Sequence, residues 1–205
     1  MVKNDSTIAG FFPATVMPDP DWWQVLWPSP EQVLIALGAG SQMEAVDLCC
    51  GDGLFTVPLA LSTRHVVAID IDPGMLALAR SKATAAGATA CEFVQGDAYA
   101  LAPLIREPVD FVLIANTFHG VPDKLRLARA AAAALKTGGR LAIVNWHQRS
   151  REETTVLGEP RGPRTDIRMS PADTVAVVTR AGLKHFGVVE LPPYHYGAVF
   201  QKPAE

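Results

Sequence analysis

Five short apolar runs, at residues 45–49, 65–69, 91–94, 109–115 and 140–145, alternate with longer stretches that read as helices. This alternation constrains the chain more than any other feature, because strand–helix–strand units build a parallel sheet with helices on both faces, wound right-handedly. The run at 109–115 is almost wholly apolar, as a central strand buried on both faces requires.

Helix boundaries are marked by local chemistry. Ser29-Pro30-Glu31-Gln32 sets an N-cap residue before proline with Gln three positions on, and Gly38 and Gly40 close that helix. A tight turn at 51–53 leads into a helix at 54–61. Asp72-Pro73 opens a helix to about Ala86, and an alanine-rich helix from Asp123 to about Lys136 is stopped by Gly138-Gly139. Ser170-Pro171 opens the last helix, ending near Gly182. Two strands finish the chain, at 184–191 and 196–201, joined by Pro192-Pro193-Tyr194-His195. A parallel crossover takes roughly a dozen residues or more, so these two strands are antiparallel. The fold class that follows is α/β: a doubly wound, seven-stranded, Rossmann-like sheet, mostly parallel with an antiparallel last strand.

A length of 205 residues fits one domain with a short appendage. That domain is expected over 29–205. Residues 1–28 form an N-terminal aromatic lid, in which Phe11, Phe12, Trp22, Trp23 and Trp27 stand among prolines in otherwise irregular chain. Residues 148–168 form an inserted lid loop with arginines at 149, 151, 161, 164 and 168. Each stretch has a plainer reading, the first as cover for a hydrophobic edge and the second as a solvated loop.

Eighteen basic against 21 acidic residues give a net charge of -3, without the surplus that neutralises phosphates, so nucleic acid is not the expected partner. No run approaches the ~20 apolar residues of a membrane span, and the first residues do not lead into a signal-type stretch, so a cytoplasmic protein is expected. Cys49, Cys50 and Cys91 are odd in number and lack zinc-type spacing, so they are read as reduced thiols and no metal is expected.

The run Val46-Asp47-Leu48-Cys49-Cys50-Gly51-Asp52-Gly53 places two glycines where a buried strand turns into a helix, which lets backbone approach a ligand closely. The dinucleotide fingerprint would need a third glycine where Thr56 stands, and Asp47 and Asp52 would repel a pyrophosphate. A nicotinamide oxidoreductase is therefore disfavoured, and the turn suits a cation. Asp70 ends the second strand, where a carboxylate can take ribose hydroxyls, and Asp97 follows the third, within reach of an adenine amine.

Val46–Gly53, the strand ending in Asp70, Gly96-Asp97-Ala98, the strand 110–115 and Leu135-Lys136-Thr137-Gly138-Gly139-Arg140-Leu141 together resemble the ordered motifs of class I S-adenosylmethionine-dependent methyltransferases. More narrowly they resemble small-molecule enzymes grouped with ubiquinone/menaquinone C-methylases and arsenite methylases, over residues 30–202. The resemblance implies S-adenosyl-L-methionine as cofactor. It puts Asp47, Gly51 and Gly53 at the methionine part, Asp70 at the ribose, Asp97 and Ala98 at the adenine, and backbone of Ala115 and Asn116 at the methionine amino group. One departure is Cys49, where the family usually has glycine; altered packing is expected there, with binding retained. Arsenite methylases use several cysteines outside this turn, and this chain offers only Cys91.

Methyl transfer from a sulfonium needs positioning and electrostatics more than acid–base chemistry. The expected acceptor is a small molecule beyond the strand ends, where Asn116-Thr117-Phe118-His119, Trp146-His147 and Tyr194-His195-Tyr196 are read as converging on one mouth. His119, His147 and Tyr194 are the candidate catalytic residues, each with an alternative as a structural loop residue. The chain lacks the Pro-Pro-aromatic run of amino methylases after the fourth strand. A noncatalytic cofactor-binding subunit is the alternative function. Acceptor atom and oligomeric state carry no signature in the sequence.

Overall fold

A computed structural model describes residues 10–12 and 15–204. Residues 1–9 and 13–14 of the expected lid, with the N-terminal residues read for a signal segment, lie outside the described residues. The elements are α1 (Pro20–Leu26), α2 (Pro30–Ala36), β1 (Glu44–Leu48), α3 (Thr56–Ser62), β2 (His65–Asp70), α4 (Pro73–Ala85), β3 (Cys91–Gln95) and β4 (Val109–Ala115). They continue with α5 (Lys124–Ala134), β5 (Leu135–Trp146), β6 (Thr155–Val156), β7 (Glu159–Pro160), α6 (Pro171–Thr179), β8 (Lys184–Leu191) and β9 (His195–Gln201).

The main sheet has seven strands in the order β3-β2-β1-β4-β5-β9-β8. β1 to β5 run parallel, and β9 lies reversed between β5 and β8. Side chains of β4 alternate between two cores. Val112 and Ile114 pack with Leu127 and Ala131 of α5, while Phe111 and Leu113 pack with Leu34 of α2 and Leu59 of α3. The chain leaves β1 toward β2 on one side and meets β4 on the other, so a crevice opens beyond the carboxyl ends of β1 and β4, where open α/β sheets bind ligands.

Three local expectations are corrected. The irregular N-terminal stretch contains α1, started by the Asp19 side chain accepting the Asp21 N–H and by Pro20. Ser29 precedes α2 but makes no side-chain capping bond. The alanine-rich helix stops at Ala134, and Leu135 already pairs with Val109 while Arg140 pairs with Phe111. The residues between bulge out of the β4–β5 ladder. Gly139 is needed there because a Cβ would stand 2.9 Å from the Lys136 carbonyl oxygen and 3.1 Å from that of Val109.

Candidate active site

After Leu48 the chain turns sharply before α3, and Cys49 at φ 63, Gly51 at φ 54 and Gly53 at φ 84 all take left-handed conformations. That conformation is free for glycine and strained for cysteine. The Gly51 N–H donates to one carboxylate oxygen of Asp70 at 2.8 Å, and the other oxygen accepts from the Asp72 N–H at 3.0 Å. The end of β2 thus holds the turn after β1. Burial raises the Asp70 carboxyl pKa, opposed by those backbone bonds. Gly53 serves packing: a Cβ there would stand 2.9 Å from both Cα and Cβ of Ala79, so its absence lets α4 close on the turn.

Asp47 on β1 is buried and accepts the Thr56 hydroxyl at 2.6 Å. Burial, opposed by that bond and reinforced by the charges of Asp70 and Asp52, pushes its carboxyl up to about 7. The position that breaks the dinucleotide fingerprint therefore has a job here, as the partner of the buried acid. Asp52 is ion-paired with Lys82 of α4, so one of the acids expected to make the cleft negative is neutralised. Burial also raises the thiol pKa values of Cys49, Cys50 and Cys91, the last to about 12, so these cysteines stay protonated.

A cavity of about 260 Å³ opens at these strand ends. Gly51, Asp70, Ile71, Met75 and Ala98 line it at the ends of β1, β2 and β3, and Asn116, His119 and Trp146 at the ends of β4 and β5. Asp97 does not line it; its side chain accepts the Tyr99 N–H at 2.9 Å, between Gly96 and Ala98, which do. Phe11, Phe12, Met17, Trp22 and Trp23 close the near side. Phe12 meets Tyr99 edge-on at 5.1 Å.

Ala115 and Asn116 both border the cavity, and Asn116 is left-handed at φ 59. Its amide nitrogen and oxygen are buried without a partner among the described residues, as is Nδ1 of His119. Burial drives the His119 pKa down to about 4, so its ring is neutral near pH 7. The other histidines do not converge with it. His147 pairs with Glu190 at 2.9 Å and does not line the cavity. Tyr194 stacks on Trp146 at 6.0 Å and donates to the Thr155 carbonyl at 2.8 Å, also outside the lining. His195 is enclosed between Trp27 and Trp146, at 4.4 and 4.2 Å between ring centres. The ends of β5 and β9 stay paired, and it is the partners Glu190, Thr155 and the two tryptophans that hold these side chains apart from His119.

The 148–168 segment is organised by Arg168, 3% exposed. Its guanidinium donates to the carbonyls of Pro163, Arg149 and Arg161 and to the Thr154 hydroxyl, and lies 5.0 Å from the Trp146 ring centre. Sequence spacing carries no signal for this staple, because all its carbonyl acceptors are backbone.

Among the described residues no cluster of three or more His, Cys, Asp or Glu is placed to hold a metal. No helix among them is long and apolar enough to cross a membrane. The groups present do fit S-adenosylmethionine: Asp47 and Asp70 suit its cationic and hydroxyl groups, and the unpartnered Asn116 amide offers both a donor and an acceptor.

This sheet order, with the glycine turn and Asp70 at its crevice, is that of the Rossmann-like methyltransferase fold. The sequence profile of the family described as "Methyltransferase domain" matches residues 46–143. A demethylmenaquinone methyltransferase of Shouchella clausii is 32% identical over 107 residues, covering 51% of this chain and 45% of that protein. One from Listeria monocytogenes is 29% identical over 127 residues, covering 60% and 52%. The chain thus spans about half the length of the curated relatives it matches. A structure titled as a SAM-dependent methyltransferase from Aquifex aeolicus superposes with TM-score 0.75 at 25% identity, covering 90% of this chain and 94% of that one. In this profile match and in its fold the chain is similar to the class I S-adenosylmethionine-dependent methyltransferases.

Proposed function

We propose that this chain transfers a methyl group from S-adenosyl-L-methionine to a small-molecule acceptor in the cytoplasm, by in-line displacement. The observation that carries this is the juxtaposition in one cavity of the Asp70-braced glycine turn with the unpartnered polar atoms of Asn116 and His119. The curated relatives, named for a small-molecule substrate, and the net charge of -3 support a small acceptor over nucleic acid.

Bound cofactor supplies a methyl group already activated on a sulfonium. The protein's part is to position, desolvate and stabilise. Gly51 yields space, Asp70 takes the ribose hydroxyls, Ala98 with neighbouring Asp97 receives the adenine, and Asp47 with the backbone at Ala115 and Asn116 meets the methionine end. His119, neutral and buried, hydrogen-bonds the acceptor through Nδ1 and orients its attacking atom. A group with a pKa of about 4 is a weak base, so orientation outweighs proton removal. Residues 10–28 and 148–168 act as the two lids, with Trp22, Trp23, Gly162 and Pro163 in the cavity wall excluding water.

The test is release of S-adenosylhomocysteine when protein, cofactor and a panel of small acceptors are mixed. Turnover that drops about tenfold or more in His119→Ala, with cofactor affinity kept, supports the reading. Tight cofactor binding without turnover on any acceptor would instead make the chain a noncatalytic binding subunit.

A further inference from the structure

Asn145 on β5 is fully buried, and its amide is held at one end. Its Nδ2 donates to the Tyr196 hydroxyl at 3.4 Å across the β5–β9 pair, while Oδ1 has no partner among the described residues. A buried acceptor left unpaired is costly, so the neighbour able to give it a proton matters.

Counting protons fixes which way the amide points. The Tyr196 hydroxyl stands 3.1 Å from the carbonyl oxygens of Met169 and Ser170, which only accept, so its single proton is spent there. Its lone pairs then receive the Thr174 hydroxyl at 2.7 Å and the Asn145 Nδ2. A flipped amide would set Oδ1 against an oxygen with no proton left to give. Oδ1 is therefore locked away from Tyr196.

His119 is the neighbour that can answer it. The Asn116 N–H donates to the Val144 carbonyl at 2.8 Å, and the turn Phe118–Gly120 packs on β5, which sets the His119 ring beside Asn145. Hydrogen bonding with Asn145 raises the pKa of that ring against the larger effect of burial. His119 borders the cavity and Asn145 does not, so the ring stands between Asn145 and the ligand space. A neutral imidazole has one N–H and one bare nitrogen, and the partner of either one decides which is which.

We propose that Asn145 is a positioning residue: its Oδ1 claims the single N–H of the His119 ring, leaving bare the nitrogen turned to the acceptor. This rests on the cavity being the methyl-transfer site. The consequence is a rule for the acceptor, which must bring a hydrogen-bond donor, a hydroxyl, N–H or thiol, at or beside its attacking atom. Carboxylates and tertiary amines bring none and would set a lone pair against a lone pair. Transfer breaks the methyl–sulfur bond, whose electron pair stays on sulfur, forms the bond from methyl to acceptor, and releases one proton to water. The bare nitrogen holds the donor group so that the attacking atom stays in line.

Nitrogen NMR of the histidine rings near pH 7, with S-adenosylhomocysteine saturating and His119 assigned by comparison with His119→Gln, reads the tautomer directly. One tautomer is expected in the wild type. Asn145→Leu should mix the two, and so should Tyr196→Phe, which frees the amide to turn over without touching the ring. Thr174→Val removes only a donor to Tyr196 and should keep the single form. S-adenosylhomocysteine affinity, measured in each variant, reports an intact fold and cofactor site. In turnover, Asn145→Leu should lower kcat about tenfold with the KM for S-adenosylmethionine kept, and should add little to His119→Ala. Mixed tautomers in the wild type, a single tautomer surviving both Asn145→Leu and Tyr196→Phe, or preferential methylation of carboxylates or tertiary amines overturns the proposal while the cofactor reading stands. Failure of S-adenosylhomocysteine to bind the wild type, or absence of turnover on every acceptor, overturns the methyl-transfer reading and the acceptor rule with it.

Discussion

The buried carboxylate of Asp47 accepts the hydroxyl of Thr56 at 2.6 Å, joining the last turn of β1 to the first residue of α3 across the glycine turn. Burial raises this acid to about 7, whereas an aspartate in the unfolded chain titrates near pH 3.9. Between about pH 4 and 7 the folded protein therefore binds the extra proton, and stability of the free protein falls as pH rises through that window. A cationic ligand needs the ionised form. Affinity for S-adenosylhomocysteine, which carries an ammonium group, should accordingly fall as pH drops below 7, and Thr56→Val should move that inflection upward. Calorimetry at pH 6, 7 and 8 checks it; an affinity independent of pH in both proteins would count against the assignment of Asp47 to the cofactor.

Cys49 sits at φ 63, where the resemblance leads one to expect glycine. Left-handed backbone costs a non-glycine residue about 1–2 kcal/mol, offset by roughly 0.4–1 kcal/mol of unfolded-chain entropy that glycine would add. Cys49→Gly should leave stability unchanged or raise it by up to about 1 kcal/mol, while β-branched Cys49→Val should lower it by about 1–2 kcal/mol. Urea titration distinguishes them, and a glycine variant clearly less stable than wild type would show that the thiol's packing outweighs the strain.

His195 is enclosed by Trp23, Trp27 and Trp146, with Nε2 unpartnered among the described residues, and burial holds its pKa well below the ordinary value. The unfolded chain binds a proton near pH 6.5, so stability is intact above that pH and lost below it, at up to about 1.4 kcal/mol per pH unit. His195→Phe should remove much of this loss, leaving the part due to His119. Denaturation midpoints at pH 5 and 8 test it: the variant should gain on wild type at pH 5, and an unchanged difference between the two pH values would contradict the buried-neutral state.

Arg168 gathers the 148–168 segment onto backbone carbonyls that a point-charge ammonium cannot reach in the same fork. Arg168→Lys should cost about 2–3 kcal/mol and open the segment to trypsin at Arg149, Arg151, Arg161 and Arg164. Limited proteolysis reads this directly; a segment as resistant as in wild type would mean that β6, β7 and Trp146 suffice to hold it.

Much of the fold was legible because its signals are local and periodic. The apolar run at 109–115 dictates a buried strand, and the short connector before β9 dictates a reversal by length alone. The start of β5 was not legible, since Gly138-Gly139 reads equally as a helix stop and as the bulge it forms, and only pairing with Val109 decides. At the site, Asp47, Gly51, Asp70, Ala98, Ala115 and Asn116 all border the cavity. Gly53 and Asp97 stand just behind the wall, for reasons of contact with Ala79 and Tyr99 that sequence spacing does not express. His147 and Tyr194 were placed at the mouth by strand order, but their partners Glu190 and Thr155 draw them away. Arg168 reads as one more arginine of an arginine-rich loop, and only its burial sets it apart.

The most direct measurement is calorimetric titration of S-adenosylhomocysteine into wild type and Asp70→Ala. One-to-one binding in the wild type, weakened about tenfold or more by the substitution, is predicted, because Asp70 braces the Gly51 turn and is the proposed ribose ligand. No binding at millimolar ligand, or equal affinity in the two proteins, would contradict the placement of the cofactor at this strand end.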